Sequence, residues 1–440
     1  MDRGRNGRKG ESSYGEGIRN ARARQRAFLI AAAPEPQDLA ELRELLRTSG
    51  VAVAGEMTQR RPAPDPDRYF GKGKLAELKQ AIKEADANLV ACDDELRPRQ
   101  ERNIEEALGV PVIDRTAVIL DIFAQHASSA EGKLQVELAQ LEYNLARMRG
   151  LWTHLERLGA GRMDGGIGTR GPGESQIETD RRLARDRISA LRRRLEETKG
   201  TRSTMRAERE RAGLPTVALA GYTNAGKSTL LNALTGADVG VRERLFHTLD
   251  PTTRNFEISG RTYLLTDTVG FIRKLPHQLV DAFSATLEEA MSADLIVHVA
   301  DASVAESELH EMLAAVEEVL AEVGAGDRPR LLALNKVDLL DAERRRELGF
   351  RFPDAVQVSG ETGDGLDDLR ETIEARFLRT LEPMELLVPY DEGGSLSELH
   401  ELAGDLERED TAEGVRIKAR VPAAAVQRFE RFANGNSSDG

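Results

Sequence analysis

At about 150 residues per domain, a chain of 440 residues holds two to four domains, and 40% hydrophobic against 31% charged residues excludes global disorder, while 4% aromatics makes its cores aliphatic. The single cysteine, Cys92, excludes an internal disulfide and a cysteine-based zinc site and fits a reduced compartment. No apolar run approaches the ~18 residues of a membrane span, and a net charge of −13 argues against a simple nucleic-acid coat, although the total hides local asymmetry.

Residues 1–26 are rich in Gly, Arg and Ser, lack apolar periodicity and carry a net charge of about +5. They read as a basic, flexible tail, able to bind phosphates by counterion release or simply solvated. The run AFLIAAA (27–33) resembles a signal-peptide core. The basic stretch before it is too long, however, and Pro-Glu-Pro follows at once, so it reads as a first strand. Residues 27–126 form an N-terminal α/β domain, with strands expected at 28–32, 51–54, 89–92 and 110–113 and helices at 38–48, 75–85 and 99–108. Gly71-Lys72-Gly73-Lys74-Leu75-Ala76 fits G-x-G-x-x-A, but a Pro/Asp loop precedes it. It therefore reads as a glycine helix start rather than a dinucleotide site.

Residues 127–213 change character. Leu134, Leu138, Leu141, Leu145, Met148, Trp152 and Leu155 alternate steps of four and three, as do Ile177, Arg181, Ala184, Ile188, Leu191, Leu195 and Thr198. Two such heptad seams predict a long antiparallel helical hairpin. Between them, 159–173 (GAGRMDGGIGTRGPG) holds seven glycines, far more than a helix–helix turn requires. Glycines allow close backbone approach and arginines reach phosphates. Arg162, Gly165, Gly166, Gly168, Arg170 and Gly171 are therefore candidates for RNA contact, the alternative being a solvated tip. Residues 214–380 form a second α/β domain. Residues 381–433 read β-α-β-α, from a strand at 386–388, a helix carrying Leu396, Leu399, Leu402 and Leu406, and the alternating strand 415–421; 434–440 read as a flexible tail. The fold class is thus α/β multidomain. His298, inside the apolar run 295–300, reads as a core residue.

The second α/β domain carries the chemistry. The strand 217–220 runs into Gly221-Tyr222-Thr223-Asn224-Ala225-Gly226-Lys227-Ser228, and Thr229 continues into a helix. This is G-x-x-x-x-G-K-S between a strand and a helix, a phosphate loop whose backbone N–H groups and helix N-terminus wrap phosphate. Lys227 then reaches the β/γ-phosphate oxygens and Ser228 ligates Mg²⁺. Downstream, Asp267-Thr268-Val269-Gly270 ends a strand, with Asp267 holding the Mg²⁺ shell and the Gly270 N–H sensing the γ-phosphate. Asn335-Lys336-Val337-Asp338 follows another strand. The Asp338 carboxylate can accept from the guanine N1–H and exocyclic amine, a donor pair that adenine lacks. Ser359 and Gly360 supply the last base-side loop; Gly360 stands where alanine is usual and keeps an N–H to offer. Four motifs in this order describe a GTP-binding domain and resemble the translation-factor-like class of GTPases. Phe271 follows Gly270, where Ras-like enzymes place a water-orienting Gln. Hydrolysis is then slow alone, or uses another group or a partner. Thr252 is the candidate second Mg²⁺ ligand, with Thr253 as the alternative. The candidate catalytic set is Lys227, Thr252 and Gly270. Asn224 looks like the asparagine that holds K⁺ in cation-activated GTPases, its other reading being a local turn role.

Taken together, EGKLQVELAQLEY (131–143), GGIGTRGPGESQIETDRRL (165–183), GYTNAGKSTLLNALT (221–235), LDPTTR (249–254) and DTVGFIRKLPHQLVDAF (267–283) resemble the HflX family of GTPases, and 95–127 fits as well. The resemblance implies a cytoplasmic, stress-related factor that binds the large ribosomal subunit when GTP-loaded and dissociates or rescues stalled ribosomes. It also implies a hairpin loop, here 159–173, that reaches peptidyl-transferase rRNA, and hydrolysis stimulated by the ribosome. A monomer is expected. The rival readings are a potassium-dependent ribosome-assembly or RNA-modification GTPase, which lacks the Gly/Arg hairpin, and a nucleotide-gated module for a protein or membrane partner.

Overall fold

A computed structural model of the chain describes residues 25–35, 38–159, 172–211, 214–236, 245–246, 251–274, 276, 292–379 and 381–433. The six RNA-contact candidates of the Gly/Arg loop, nearly all of the basic tail and residues 434–440 lie outside these. The contacts divide the chain into two compact units, 1–125 with 139–188 and 126–138 with 189–440, so the expected hairpin segment is shared between them.

In the first unit, AFLIAAA is the core of β1 (Arg26–Ala33), buried along most of its length. It pairs in parallel with β2 (Ala52–Arg60) on one side and β3 (Leu89–Cys92) on the other, and β4 (Val112–Asp114) closes a four-stranded parallel sheet in the order β2-β1-β3-β4. β2 runs well past the expected 51–54. It is a half-exposed edge strand, and Gly55-Glu56 interrupts the apolar signal at its centre. Helices Ala40–Ser49, Lys72–Glu84 and Pro98–Leu108 fall where expected, and Arg115–His126 is a further helix. Gly71 is the extended residue ahead of Lys72, a plain helix start.

Two long helices follow, Ala130–Gly159 and Pro172–Arg211. On the second, Ala184, Ile188, Leu191 and Leu195 are buried, so the expected seam is the packed stripe. The first helix is buried more widely than its seam. Leu138 is buried, and so are Gln135, Val136, Ala139 and Tyr143, which the heptad omits. Tyr143 is held by a polar network. Asp114, fully buried, accepts from the Tyr143 hydroxyl at 2.8 Å, from Arg147 Nη2 at 2.6 Å and from the backbone N–H groups of Leu96 and Ala117. Arg147 also donates to Glu101 at 2.7 Å and lies over the Tyr143 ring. Removing one partner of a buried ion pair costs about 3–5 kcal/mol. Asp114→Ala is accordingly expected to lower the unfolding free energy by that scale while leaving nucleotide affinity unchanged, checked by urea unfolding and nucleotide titration.

The second unit holds a six-stranded sheet in the order β10-β9-β8-β5-β7-β6, from β5 (Thr216–Gly221), β6 (Thr252–Ile258), β7 (Arg261–Asp267), β8 (Leu295–Asp301), β9 (Arg330–Asn335) and β10 (Val356–Gln357). All pairs are parallel except β6 with β7. Val217, Leu219, Leu265, Val297 and Val299 pack with helices Lys227–Thr235 and Leu366–Leu378 into a mainly aliphatic core that also holds Phe256, Tyr263 and Phe377. In a parallel sheet, ligands bind at the carboxyl ends of the strands. Here those ends are Gly221, Asp267 and Asn335.

The C-terminal piece has one strand more than expected. β11 (Leu381–Val388), helix Gly393–Leu402, β12 (Gly404–Asp410), β13 (Val415–Pro422) and helix Ala423–Phe429 read β-α-β-β-α, with an antiparallel sheet in the order β11-β13-β12. Leu406 continues the helical spacing of Leu396, Leu399 and Leu402, yet the helix stops at Leu402 and Leu406 lies on β12. GDLERED has a single apolar residue and thus no alternation to reveal a strand. No helix among the described residues is long and apolar enough to cross a membrane.

Candidate functional site

β5 delivers Gly221 into a tight turn that ends at the helix beginning with Lys227. Two glycines are fixed by contact. A Cβ on Gly221 would overlap the Val299 carbonyl, and one on Gly226, which has φ +91°, would overlap the Asn335 amide. Asn224, exposed, holds φ +61°, a left-handed conformation that asparagine tolerates better than most residues. Ala225 is buried, and Thr229 lies in the first turn of the helix. Lys227 is buried and donates to the carbonyls of Gly221 at 3.1 Å and Tyr222 at 2.9 Å. Burial lowers its pKa to about 8, against an opposing pull from Asp267.

Ser228 Oγ donates to Asp267 Oδ2 at 2.6 Å, so the two expected Mg²⁺ ligands meet. A hydroxyl and a buried carboxylate side by side are the hard oxygen donors that Mg²⁺ takes, and this pair fits it. Thr252 opens β6 directly opposite Asp267, whereas the Thr253 hydroxyl pairs with that of Thr266 at 2.9 Å. Of the two candidates, Thr252 is the one without that cross-strand pairing. Asn224 is different. The left-handed turn accounts for an asparagine at this position without a cation.

The segment after Asp267 is bound to the phosphate loop. Thr268 Oγ1 donates to the Leu219 carbonyl at 2.7 Å, and Val269 is buried. Tyr222 and Phe271 form a parallel bridge: the Thr223 N–H donates to the Phe271 carbonyl at 2.8 Å and the Phe271 N–H to that of Gly221 at 3.1 Å. The Arg273 N–H donates to the Tyr222 hydroxyl at 2.8 Å. Gly270 rests on the loop so closely that a Cβ would lie 2.8 Å from Thr223 Cγ2 and 3.0 Å from Lys227 Nζ. The Phe271 side chain is fully buried.

On the other side of the loop, Asn335 Nδ2 donates to the Ala225 carbonyl at 2.8 Å, and its Oδ1 accepts from the Gly360 N–H at 3.0 Å. That N–H, read from sequence as on offer, is therefore engaged. The departure from alanine also has a reason, since a Cβ on Gly360 would lie 3.2 Å from the Leu230 nitrogen. Ser359 Oγ donates to Asp338 Oδ1 at 2.6 Å and fixes the carboxylate. Lys336, at φ +64°, reaches Asp301 at 2.6 Å. Sequence reading passed over Asp301, although it ends the strand next to β9. His298 is buried, with its pKa lowered to about 4 by burial and by Arg330, so it stays neutral.

Loop, carboxylate, hydroxyl and base-side residues thus lie together at the carboxyl ends of the parallel strands. Residues 36–124, 126–209 and 216–336 match family models described as GTP-binding GTPase N-terminal, GTP-binding GTPase Middle Region and 50S ribosome-binding GTPase. Over 94% of its length the chain is 46% identical to the GTPase HflX of Caldanaerobacter subterraneus, covering 94% of that protein. The chain belongs to the HflX family. The GTPase HflX of Escherichia coli is 45% identical, over 89% of this chain and 92% of that one. Among solved structures, a GTP-binding protein from Sulfolobus solfataricus in complex with GDP aligns with 80% of this chain and 98% of its own, at 28% identity and a TM-score of 0.42. HflX membership makes the chain a GTPase with a GTP-binding domain.

Proposed function

We propose that this HflX-family GTPase binds the large ribosomal subunit in its GTP-loaded form, dissociates or rescues stalled ribosomes, and hydrolyses GTP fast only on the ribosome. The observation that carries the reading is Phe271. Its side chain is wholly buried beside the phosphate loop, at the position after Gly270, and phenylalanine cannot orient water by hydrogen bonding. Turnover then awaits a partner, and the description of the matching family model, 50S ribosome-binding GTPase, names one.

In this reading, backbone N–H groups of 221–229 wrap the phosphates, Lys227 neutralises the β/γ oxygens, and the Gly270 N–H meets the γ-phosphate. Asp338, steadied by Ser359, accepts from the guanine edge, with Asn335, Lys336 and Gly360 bracing the base loop. Ser228, Asp267 and Thr252 would hold Mg²⁺, which when bound offsets the phosphate charge. The Gly/Arg segment 159–173 meets rRNA.

The test is GTP turnover with and without purified large subunits, in potassium and in sodium. Stimulation by subunits of about 10³-fold or more is expected, the range by which partner-supplied groups accelerate such GTPases. Absence of stimulation in both salts would overturn the reading, and equal rates in the two salts leave Asn224 its turn role alone. Deleting residues 163–172 should abolish co-sedimentation with the subunit while sparing GTP binding.

A further inference from the structure

Tyr222 stands second in the phosphate loop, where phosphate wrapping asks only for a backbone N–H. The chain places a large aromatic side chain there and buries it. Its hydroxyl accepts from the Arg273 N–H at 2.8 Å in a half-buried hydrogen bond. Arg273 lies three residues past Gly270, whose N–H is assigned to the γ-phosphate. Between them, the Phe271 N–H donates to the Gly221 carbonyl at 3.1 Å and its carbonyl accepts from the Thr223 N–H at 2.8 Å. Segment 270–273 is thus tied to the loop at Phe271, backbone to backbone, and at Arg273 through the tyrosine side chain. The Arg273 side chain also reaches Glu311 at 3.2 Å, but that pair is exposed, and exposed pairs hold weakly. The ties matter at Gly270. A Cβ there would lie 3.0 Å from Lys227 Nζ. The Gly270 nitrogen is two bonds from that point, near enough to the ammonium for one phosphoryl oxygen to meet both at hydrogen-bond length.

We propose that Tyr222 is a positioning residue for the γ-phosphate: its hydroxyl anchors Arg273 and so keeps the Gly270 N–H in place before GTP arrives. It touches no reacting atom. Without the anchor, a smaller share of molecules holds segment 270–273 in the binding-competent position, and the apparent affinity for GTP falls by that share. GDP has no γ-phosphate to offer Gly270 and bears none of this loss. The tyrosine therefore sets how strongly the loop prefers GTP to GDP. The assignment deepens the GTPase reading and rests on the Gly270 N–H meeting the γ-phosphate.

The experiment compares Tyr222→Phe, which keeps the ring and loses the hydroxyl, with Arg273→Ala, which keeps the backbone N–H and loses the contact with Glu311. Affinities for GDP and for a non-hydrolysable GTP analogue are titrated for each. The ratio of analogue affinity to GDP affinity should fall about three- to tenfold in Tyr222→Phe, the scale of one hydrogen bond. General damage to the loop would weaken both nucleotides alike and leave the ratio where it was. In Arg273→Ala the ratio should stay within about twofold of wild type. Amide hydrogen exchange across residues 270–274 gives a second readout. It should be slower in wild type with the analogue than with GDP, and faster in nucleotide-free Tyr222→Phe than in nucleotide-free wild type. A ratio in Tyr222→Phe within about twofold of wild type, a ratio that rises, or a fall seen in Arg273→Ala instead overturns the anchor. Those results beside wild-type exchange that does respond to the γ-phosphate leave the Gly270 assignment standing. Wild-type exchange indifferent to the γ-phosphate would overturn the Gly270 assignment, and the anchor with it.

Discussion

Asp338→Asn is expected to exchange a guanine preference for a xanthine one. The carboxylate follows β9 in the short turn Val337–Leu339, and Ser359 holds one of its oxygens at 2.6 Å. In the proposed assignment it accepts from two guanine donors, N1–H and the exocyclic amine. Asparagine has the same shape and still accepts at one atom, but its NH₂ now faces the guanine amine, donor against donor. Each hydrogen bond to a charged group contributes about 1.5–3 kcal/mol, and an unmatched buried donor costs more. GTP affinity should therefore fall roughly 10²–10³-fold. Xanthine carries a carbonyl where guanine has the amine, so xanthosine triphosphate should bind Asp338→Asn more tightly than it binds wild type. Competition titrations with both nucleotides read this directly. GTP affinity within about twofold of wild type would sink the assignment, since even one neutral hydrogen bond exceeds that.

Legibility in the sequence followed the physical reach of each signal. The phosphate loop was plain because phosphate wrapping demands glycines at fixed spacing between a strand and a helix, and Gly221, Gly226 and Lys227 stand there with those flanks. The buried strands β1 and β3 were plain because continuous apolar runs leave little choice. β12 was not, because an edge strand of charged residues has no period to detect, and Leu406 carried a helical spacing past the true helix end. On the first long helix, the heptad captured Leu138 and missed Tyr143 and Arg147, whose partners Asp114 and Glu101 lie far away in the chain. The Gly360 N–H was misjudged for the same reason. Its acceptor, Asn335, is distant in sequence, and only the folded chain shows the two together.

Lys227→Ala should abolish measurable GTP binding without harming the fold, and pH dependence separates this from general damage. In the nucleotide-free protein, burial lowers Lys227 to about 8 from its ordinary 10.5, Asp267 opposing the shift. Between those values the unfolded chain holds a proton that the folded one lacks, so stability of the free protein rises with pH across the window, by about 1.4 kcal/mol per unit at most. Below pH 8 both states are protonated, and the folded state bears the full cost of a buried ammonium. Removing that ammonium lifts the cost, so Lys227→Ala should unfold no lower than wild type at pH 7; Lys227→Met keeps the volume and checks for a cavity effect. Nucleotide reverses the balance. Phosphate favours the charged amine, so binding above about pH 8 draws in a proton, and wild-type affinity should weaken by up to about tenfold per unit from there towards 10.5. Losing one partner of a buried charge pair costs about 3–5 kcal/mol, or roughly 10²–10³-fold or more in affinity. Calorimetric titration with GTP at pH 7.5 and 9.5, in buffers of unlike ionisation heat, measures both the affinity and the protons taken up. A wild-type affinity and proton uptake that do not change between the two would mean that the lysine's charge is not what holds the phosphate.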